Sequence, residues 1–243
     1  MTKPQALPLA IPFAAFYLCR QGLAGSARAA LIGLGTVVAL WAPFVAANGP
    51  ANYLRSLGDY SATFAVLSLR AWNPWWVLQE IAGHGQLISD SIPFAGPLTL
   101  RWVGVAVAGI LVLAASRGVW RRPTGAGLAW GLAATSLAAF VGFTTMHERY
   151  AYPALVFLVL VWPNRLAVGC WVVLAIAASL NIVAAVPPHG GPGALVDVGG
   201  WVGGIGAVTL SAAFAVVLAG LYRQGEERSG GRDRLEGTPG RRA

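Results

Sequence analysis

Charge is scarce in this sequence. Asp, Glu, Lys and Arg make up 11% of 243 residues, where a soluble domain averages roughly 25%. That deficit excludes an ordinary water-soluble globular protein. Lysine is nearly absent, Lys3 being the single one. The two cysteines, Cys19 at the end of one apolar run and Cys170 inside another, offer no disulfide framework and read as unpaired. The three histidines, His84, His147 and His189, fall in separate segments without metal-ligand spacing, so there is no metal motif and no cofactor to name. Acids are few, and Asp59, Glu80, Asp90, Glu148 and Asp197 form no paired motif, which argues against a two-carboxylate glycosidase. No cleavable signal peptide is evident after Lys3-Pro4. The glycines at 199, 200, 203, 204 and 206 follow no strand; they read as a helix-packing face, not a nucleotide loop.

Apolar runs fill the space left by the missing charge. Hydrophobic residues are 56% of the chain, mean hydropathy is +0.63, and there are 10 Trp and 31 Gly. In lipid every backbone N–H and C=O must be satisfied internally, so the expected fold is all-α and polytopic, with the bilayer as its first partner. Seven spans are expected, at about 5–19, 29–47, 98–115, 125–145, 152–162, 166–186 and 199–221. Several are near or below the roughly 20 residues a crossing needs. The membrane domain covers 1–221, and 222–243 reads as a disordered basic tail. The net charge of +8 would suit nucleic acid, but the arginines sit between apolar runs and in the tail, the distribution of a topology signal. Twelve of the 17 basic residues fall on one side of this scheme, Arg117, Arg121 and Arg122 among them. That side is expected to be cytoplasmic, with the tail, in a multi-pass protein of the plasma membrane. Arg117, Arg121 and Arg122 read as a topology determinant and not as an acidic-lipid site. The long 48–97 segment lies outside, and within it 63–82 reads as interfacial or re-entrant, with Trp72, Trp75 and Trp76 at headgroup depth.

One polar stretch interrupts the pattern, Thr144-Thr145-Met146-His147-Glu148-Arg149-Tyr150, with three adjacent ionisable side chains between two apolar runs. Two readings stay open. It is a solvated turn between helices, or it is a polar cluster at the mouth of a cavity, since ionisable groups at membrane depth usually serve a site.

Three motifs occur in order: Lys3-Pro4-Gln5 before an apolar run, Leu67-Ser68-Leu69-Arg70-Ala71-Trp72-Asn73-Pro74-Trp75-Trp76, and Met146-His147-Glu148-Arg149-Tyr150 before another. Together, over most of residues 1–163, they resemble bacterial multispanning mannosyltransferases of the GT-C superfamily. These are similar to the enzyme that adds the second mannose of the glycosylphosphatidylinositol anchor. They also look distantly like the eukaryotic glucosyltransferases that use a dolichyl-phosphate sugar. The resemblance implies transfer of a sugar, on the outer face of the membrane, from a polyprenyl-phosphate donor to a lipid-linked or protein acceptor. It also implies a general base on an acidic residue in the first external loop, for which this sequence has no counterpart. Arg70 stands where that pattern has a small polar residue, usually Asn. Met1 falls outside with few residues before the first run, so the sequence reads as the C-terminal part of a longer protein. A separate N-terminal half is then a possible partner, and the chain alone is expected to be inactive.

A polyprenyl phosphate joins an anionic leaving group to an apolar tail. Its phosphate needs cations at the membrane surface, and Lys3, Arg55, Arg70 and Arg149 are on the required side. His147 and Tyr150 can hydrogen-bond phosphate or sugar, Glu148 can orient Arg149 or bind sugar hydroxyls, and Gln5 and Asn73 complete the candidate donor site. Asp59 is the weak candidate for a base. The rival class is a transporter, flippase or structural membrane subunit. Span interiors almost free of charge favour an enzyme site at one surface over a pathway through the bilayer.

Overall fold

The computed structural model describes residues 4–84, 86–185 and 200–223, with backbone only for 4–5 and 60–63. The chain is an all-α polytopic membrane protein. Its helices are α1 (Ala10–Val45), α2 (Gly49–Thr63), α3 (Pro74–Gly83), α4 (Leu100–Arg121), α5 (Gly125–Gly142), α6 (Tyr152–Val159), α7 (Arg165–Ala185) and α8 (Gly200–Arg223). Short 3-10 helices cover Pro4–Leu9 and Glu148–Ala151. Four strands of two or three residues, β1 (Ser68–Leu69), β2 (Pro93–Ala95), β3 (Leu98–Thr99) and β4 (Met146–His147), complete the described elements.

Five helical stretches are long and apolar enough to cross a membrane: Ala6–Val45, Leu100–Arg121, Gly125–Gly142, Arg165–Ala185 and Gly200–Arg223. Seven apolar runs become five such stretches for two reasons. The first two runs share Ala6–Val45, where the break between them is a kink at Gly22, with φ 65° and ψ −172°. Only glycine takes that backbone readily, so two helical limbs meet there. The fifth run, Tyr152–Trp162, gives the 8-residue α6 and a turn. The segment 186–199, which includes His189 and Asp197, lies outside the described residues, as do Lys3 and the tail beyond Arg223.

α5 is the central helix, most of it buried. The Thr124 hydroxyl caps its start by accepting from Gly127 N at 3.0 Å. Packed around it are α4, α6 and α8, together with the first limb of α1. The core is built of small residues, aliphatic side chains and a few large rings: Trp130, Ala133, Ala134, Leu137, Ala138 and Phe140 of α5, with Trp72, Leu210 and Val217. Small residues let helices approach closely where lipid supplies no hydrophobic driving force between them. By contrast, the second limb of α1, Leu23–Val45, is exposed along nearly its whole length, and the described residues leave its apolar side chains uncovered.

The 64–80 part of the long segment packs onto the bundle, while 91–98 is exposed. α3 contacts α8 and α5. Trp72, Trp75 and Trp76 are buried in protein, which corrects the expectation of headgroup anchors. Trp72 lies on Gly206 of α8, where any Cβ would fall within its ring. A rim of protein around an aromatic ring and a rim of lipid headgroups look the same in composition; the glycine opposite decides between them.

Candidate functional site

At one end of the bundle, the two internal motifs meet. β1 and β4 pair in parallel, Ser68 opposite Met146 and Leu69 opposite His147, and Arg70 makes a further bridge to His147. Two stretches about 78 residues apart in sequence are thereby joined where the apolar helices end.

Each stretch contains a residue in the left-handed backbone region, Arg70 at φ 61° and Thr145 at φ 60°. For a non-glycine residue this costs on the order of 1–3 kcal/mol and persists only when its surroundings hold it. The restraints are visible. At Arg70 the clamp is Asn181, a fully buried amide on α7. Its Nδ2 donates to Arg70 O at 2.9 Å, and its Oδ1 accepts from Trp72 N at 3.0 Å. At Thr145 the backbone N–H donates to Val66 O and Leu67 O, at 3.1 and 3.0 Å. Its hydroxyl donates to Val66 O at 3.0 Å and reaches Asp90 Oδ2 at 3.2 Å.

Asp90 is the hub of the neighbouring loop. Its buried carboxylate takes Arg101 in a fork, Nη2 to Oδ1 at 2.9 Å and Nε to Oδ2 at 3.0 Å, and the Thr144 hydroxyl at 2.8 Å. Its backbone N–H donates to Ala65 O at 3.2 Å. With two charge-assisted bonds in good geometry, the pair fastens the 65–67 and 88–90 segments to the start of α4 and to Thr144.

The polar cluster follows on the 3-10 helix Glu148–Ala151, which packs along α7. Glu148 is buried, and its Oε1 accepts from Arg149 Nη1 at 3.1 Å. His147 Nδ1 stands 3.7 Å from Glu148 Oε2. The His147 ring contacts Tyr150 edge-on at 5.1 Å and Phe64 at 6.2 Å. Arg149 has 56% of its side chain exposed and lies 5.7 Å from the Tyr150 ring centre. A buried glutamate carboxylate thus holds a largely exposed arginine. Arg70 is exposed on the same rim, and its Nη1 donates to Ala185 O at 2.8 Å, at the carbonyl end of α7, where a cation is favoured. Among the described residues its other N–H groups have no partner. Arg70, Arg149 and Glu148 together leave this face with a formal charge of +1 when His147 is neutral.

The structure thus brings together Arg70, His147, Glu148, Arg149 and Tyr150. Asn73 is a correction: it is fully buried, with Nδ2 donating to Phe140 O and Oδ1 accepting from Trp76 N, both at 2.9 Å. It caps α3 ahead of Pro74, and nothing of it is open to a donor. Trp75 Nε1 adds a bond of 2.8 Å to Gly142 O. Arg55 and Asp59 are exposed residues of α2, whose packing partner is α1, and Arg55 Nη1 donates to Asn52 Oδ1 on its own helix at 3.3 Å. They precede the end of α2 by about 12 and 6 Å of helix rise, and Phe64 then joins that helix to His147. Gln5 is described in its backbone alone, within the first 3-10 helix, and Lys3 lies outside the described residues.

Sequence reasoning missed Asn181 and the Asp90–Arg101 fork. Each left a signal, a lone amide deep in an apolar run and a lone acid eleven residues before an arginine. Neither signal names its partners. No protein-family model, curated protein or solved structure matches this chain.

Proposed function

We propose that this chain belongs to a membrane glycosyltransferase, a mannosyltransferase by its resemblance. It would bind a polyprenyl-phosphate sugar at the Arg70–Tyr150 face, on the outer side of the plasma membrane. The observation that carries the reading is the junction of β1 and β4. It sets two exposed arginines, a histidine and a tyrosine on one rim, where helices apolar enough for a prenyl tail end. In the reaction an acceptor hydroxyl attacks C1 of the sugar, the C1–O bond to phosphate breaks, and polyprenyl phosphate departs. Arg149 and Arg70 stabilise the charge that grows on the departing phosphate, an interaction that strengthens toward the transition state. Glu148 holds Arg149 in place, and His147 or Tyr150 hydrogen-bonds phosphate or sugar. The hydroxyl proton needs a carboxylate, and Asp59 is the candidate within this chain.

The test is binding of polyprenyl-phosphate mannose to the purified chain in lipid nanodiscs. A charge-assisted contact to phosphate contributes about 1.5–3 kcal/mol, so Arg149→Ala should weaken binding about tenfold or more. Arg149→Lys should recover part of it, because charge remains while the planar fork is lost. Equal binding by all three proteins would reduce the cluster to a turn between helices.

A further inference from the structure

At the opposite end of the bundle from the Arg70–Tyr150 face, cations from separate elements are fastened around the α4–α5 turn. α4 ends at Arg121, and the turn to α5 carries Arg122 and Pro123. Arg20, just before the Gly22 kink of α1, donates from Nη1 to Pro123 O at 3.4 Å, and Cys19 Sγ reaches Trp120 O at the same distance. From the other side comes the last turn of α8. Arg122 Nη1 donates to Leu221 O at 3.2 Å, and Arg121 sits 5.8 Å from the Tyr222 ring centre. Tyr222 is itself fixed by its hydroxyl, which donates to Ala114 O at 2.7 Å.

Three properties separate this cluster from a topology signal. A topology signal needs positive charge in a loop and nothing of its arrangement. Here Arg20, Arg121 and Arg122 come from α1, α4 and the α4–α5 turn, and hydrogen bonds and a ring contact fix their places. Among the described residues none of the three forms an ion pair, so within that set their charge is unneutralised. Trp120, 52% exposed, stands beside them where the apolar helices stop, the position of a residue at headgroup depth.

The geometry points to a binding site for the phosphodiester headgroup of an anionic phospholipid, held by Arg20, Arg121 and Arg122 with its acyl chains along α1 and α4. Arginine suits it because a planar fork grips a phosphate through two parallel bonds. Basic recesses between membrane helices take such headgroups. The site is independent of the face at the other end.

Native mass spectrometry of the purified protein, exchanged into detergent with equimolar phosphatidylglycerol and phosphatidylcholine, reads the retained lipid directly. The wild type should retain phosphatidylglycerol about tenfold over phosphatidylcholine. Arg121→Gln should abolish that preference, and so should the charge-preserving triple variant R20K/R121K/R122K, which keeps the topology signal intact. Arg28→Gln removes one charge outside the cluster and should leave the preference unchanged. Soluble glycerol phosphate, added in excess, should not displace the lipid, because it lacks the chains that lie along α1 and α4. Equal loss in Arg28→Gln and Arg121→Gln, a triple lysine variant like wild type, or displacement by glycerol phosphate would each overturn the proposal. Unfolding midpoints recorded alongside identify a misfolded variant, and Arg20→Gln then replaces it.

Discussion

Removing the Asn181 side chain isolates the clamp on the strained turn at Arg70. Asn181→Leu keeps a side chain of similar size in α7 but leaves Arg70 O and Trp72 N without the bonds of 2.9 and 3.0 Å that now satisfy them. Each orphaned buried polar group costs about 1–3 kcal/mol, which gives about 2–6 kcal/mol for the two. Two terms reduce that figure. The turn can open and release the left-handed conformation of Arg70, recovering part of the roughly 1–3 kcal/mol stored there. In addition, polar groups in an unfolded but membrane-embedded chain find other partners, which is why hydrogen bonds between membrane helices average only about 0.6 kcal/mol. The expected net loss is about 2–4 kcal/mol, because Asn181 is fully buried and Trp72, whose N–H loses its acceptor, is buried as well. Reversible unfolding in mixed micelles measures it, with Asn181→Leu compared against wild type and against the same change in an Arg70→Gly background. Glycine adopts positive φ without strain, so the background should make the turn less dependent on its clamp and shrink the loss. A loss below about 1 kcal/mol, unchanged by Arg70→Gly, would refute both the strain and the clamp.

Gly206→Ala should cost about 1–3 kcal/mol of stability by overpacking against the Trp72 ring. Trp72→Leu in the same protein should remove most of that increment in a double-mutant cycle, and additive losses would count against the seat. Asp90→Asn should weaken the fork to Arg101 and the bonds to Thr144 and Thr145, lowering stability by about 1.5–3 kcal/mol. Limited proteolysis should then cut the 64–99 segment several-fold faster at an unchanged site, and an unaltered cleavage rate would show that the loop is held by other contacts.

Apolar runs were readable as helices because a bilayer leaves the backbone no alternative, and α4, α5, α7 and α8 lie close to where hydropathy places them. The 20–28 interval was harder. Charge at Arg20 and Arg28 marks a break, but a turn and a kink share that mark, and only the backbone at Gly22 tells them apart. The tryptophans of 72–76 were visible as important and wrongly placed, since an indole serves a lipid interface or a packed core equally well. Asn73 misled for a related reason: Asn-Pro before an apolar run is also a helix cap, and the cap is what the structure uses. The meeting of Arg70 with His147 was legible only as motif order, because strand pairing across α4 and α5 leaves no periodicity in either stretch. Asn181 carried least warning, its acceptor and donor lying on a turn more than 100 residues earlier.

That separation has a consequence for biogenesis. Ribosomes add about 5–20 residues per second, so the 111 residues between Arg70 and Asn181 take roughly 6–22 s to make. Throughout that interval the Ser68–Trp72 turn exists without the amide that holds it, and Trp72 exists without the α8 glycine that covers it. The nascent chain therefore presents a greasy, unclamped loop to whatever insertion machinery is at hand, and the rim is assembled last, when α7 and α8 arrive.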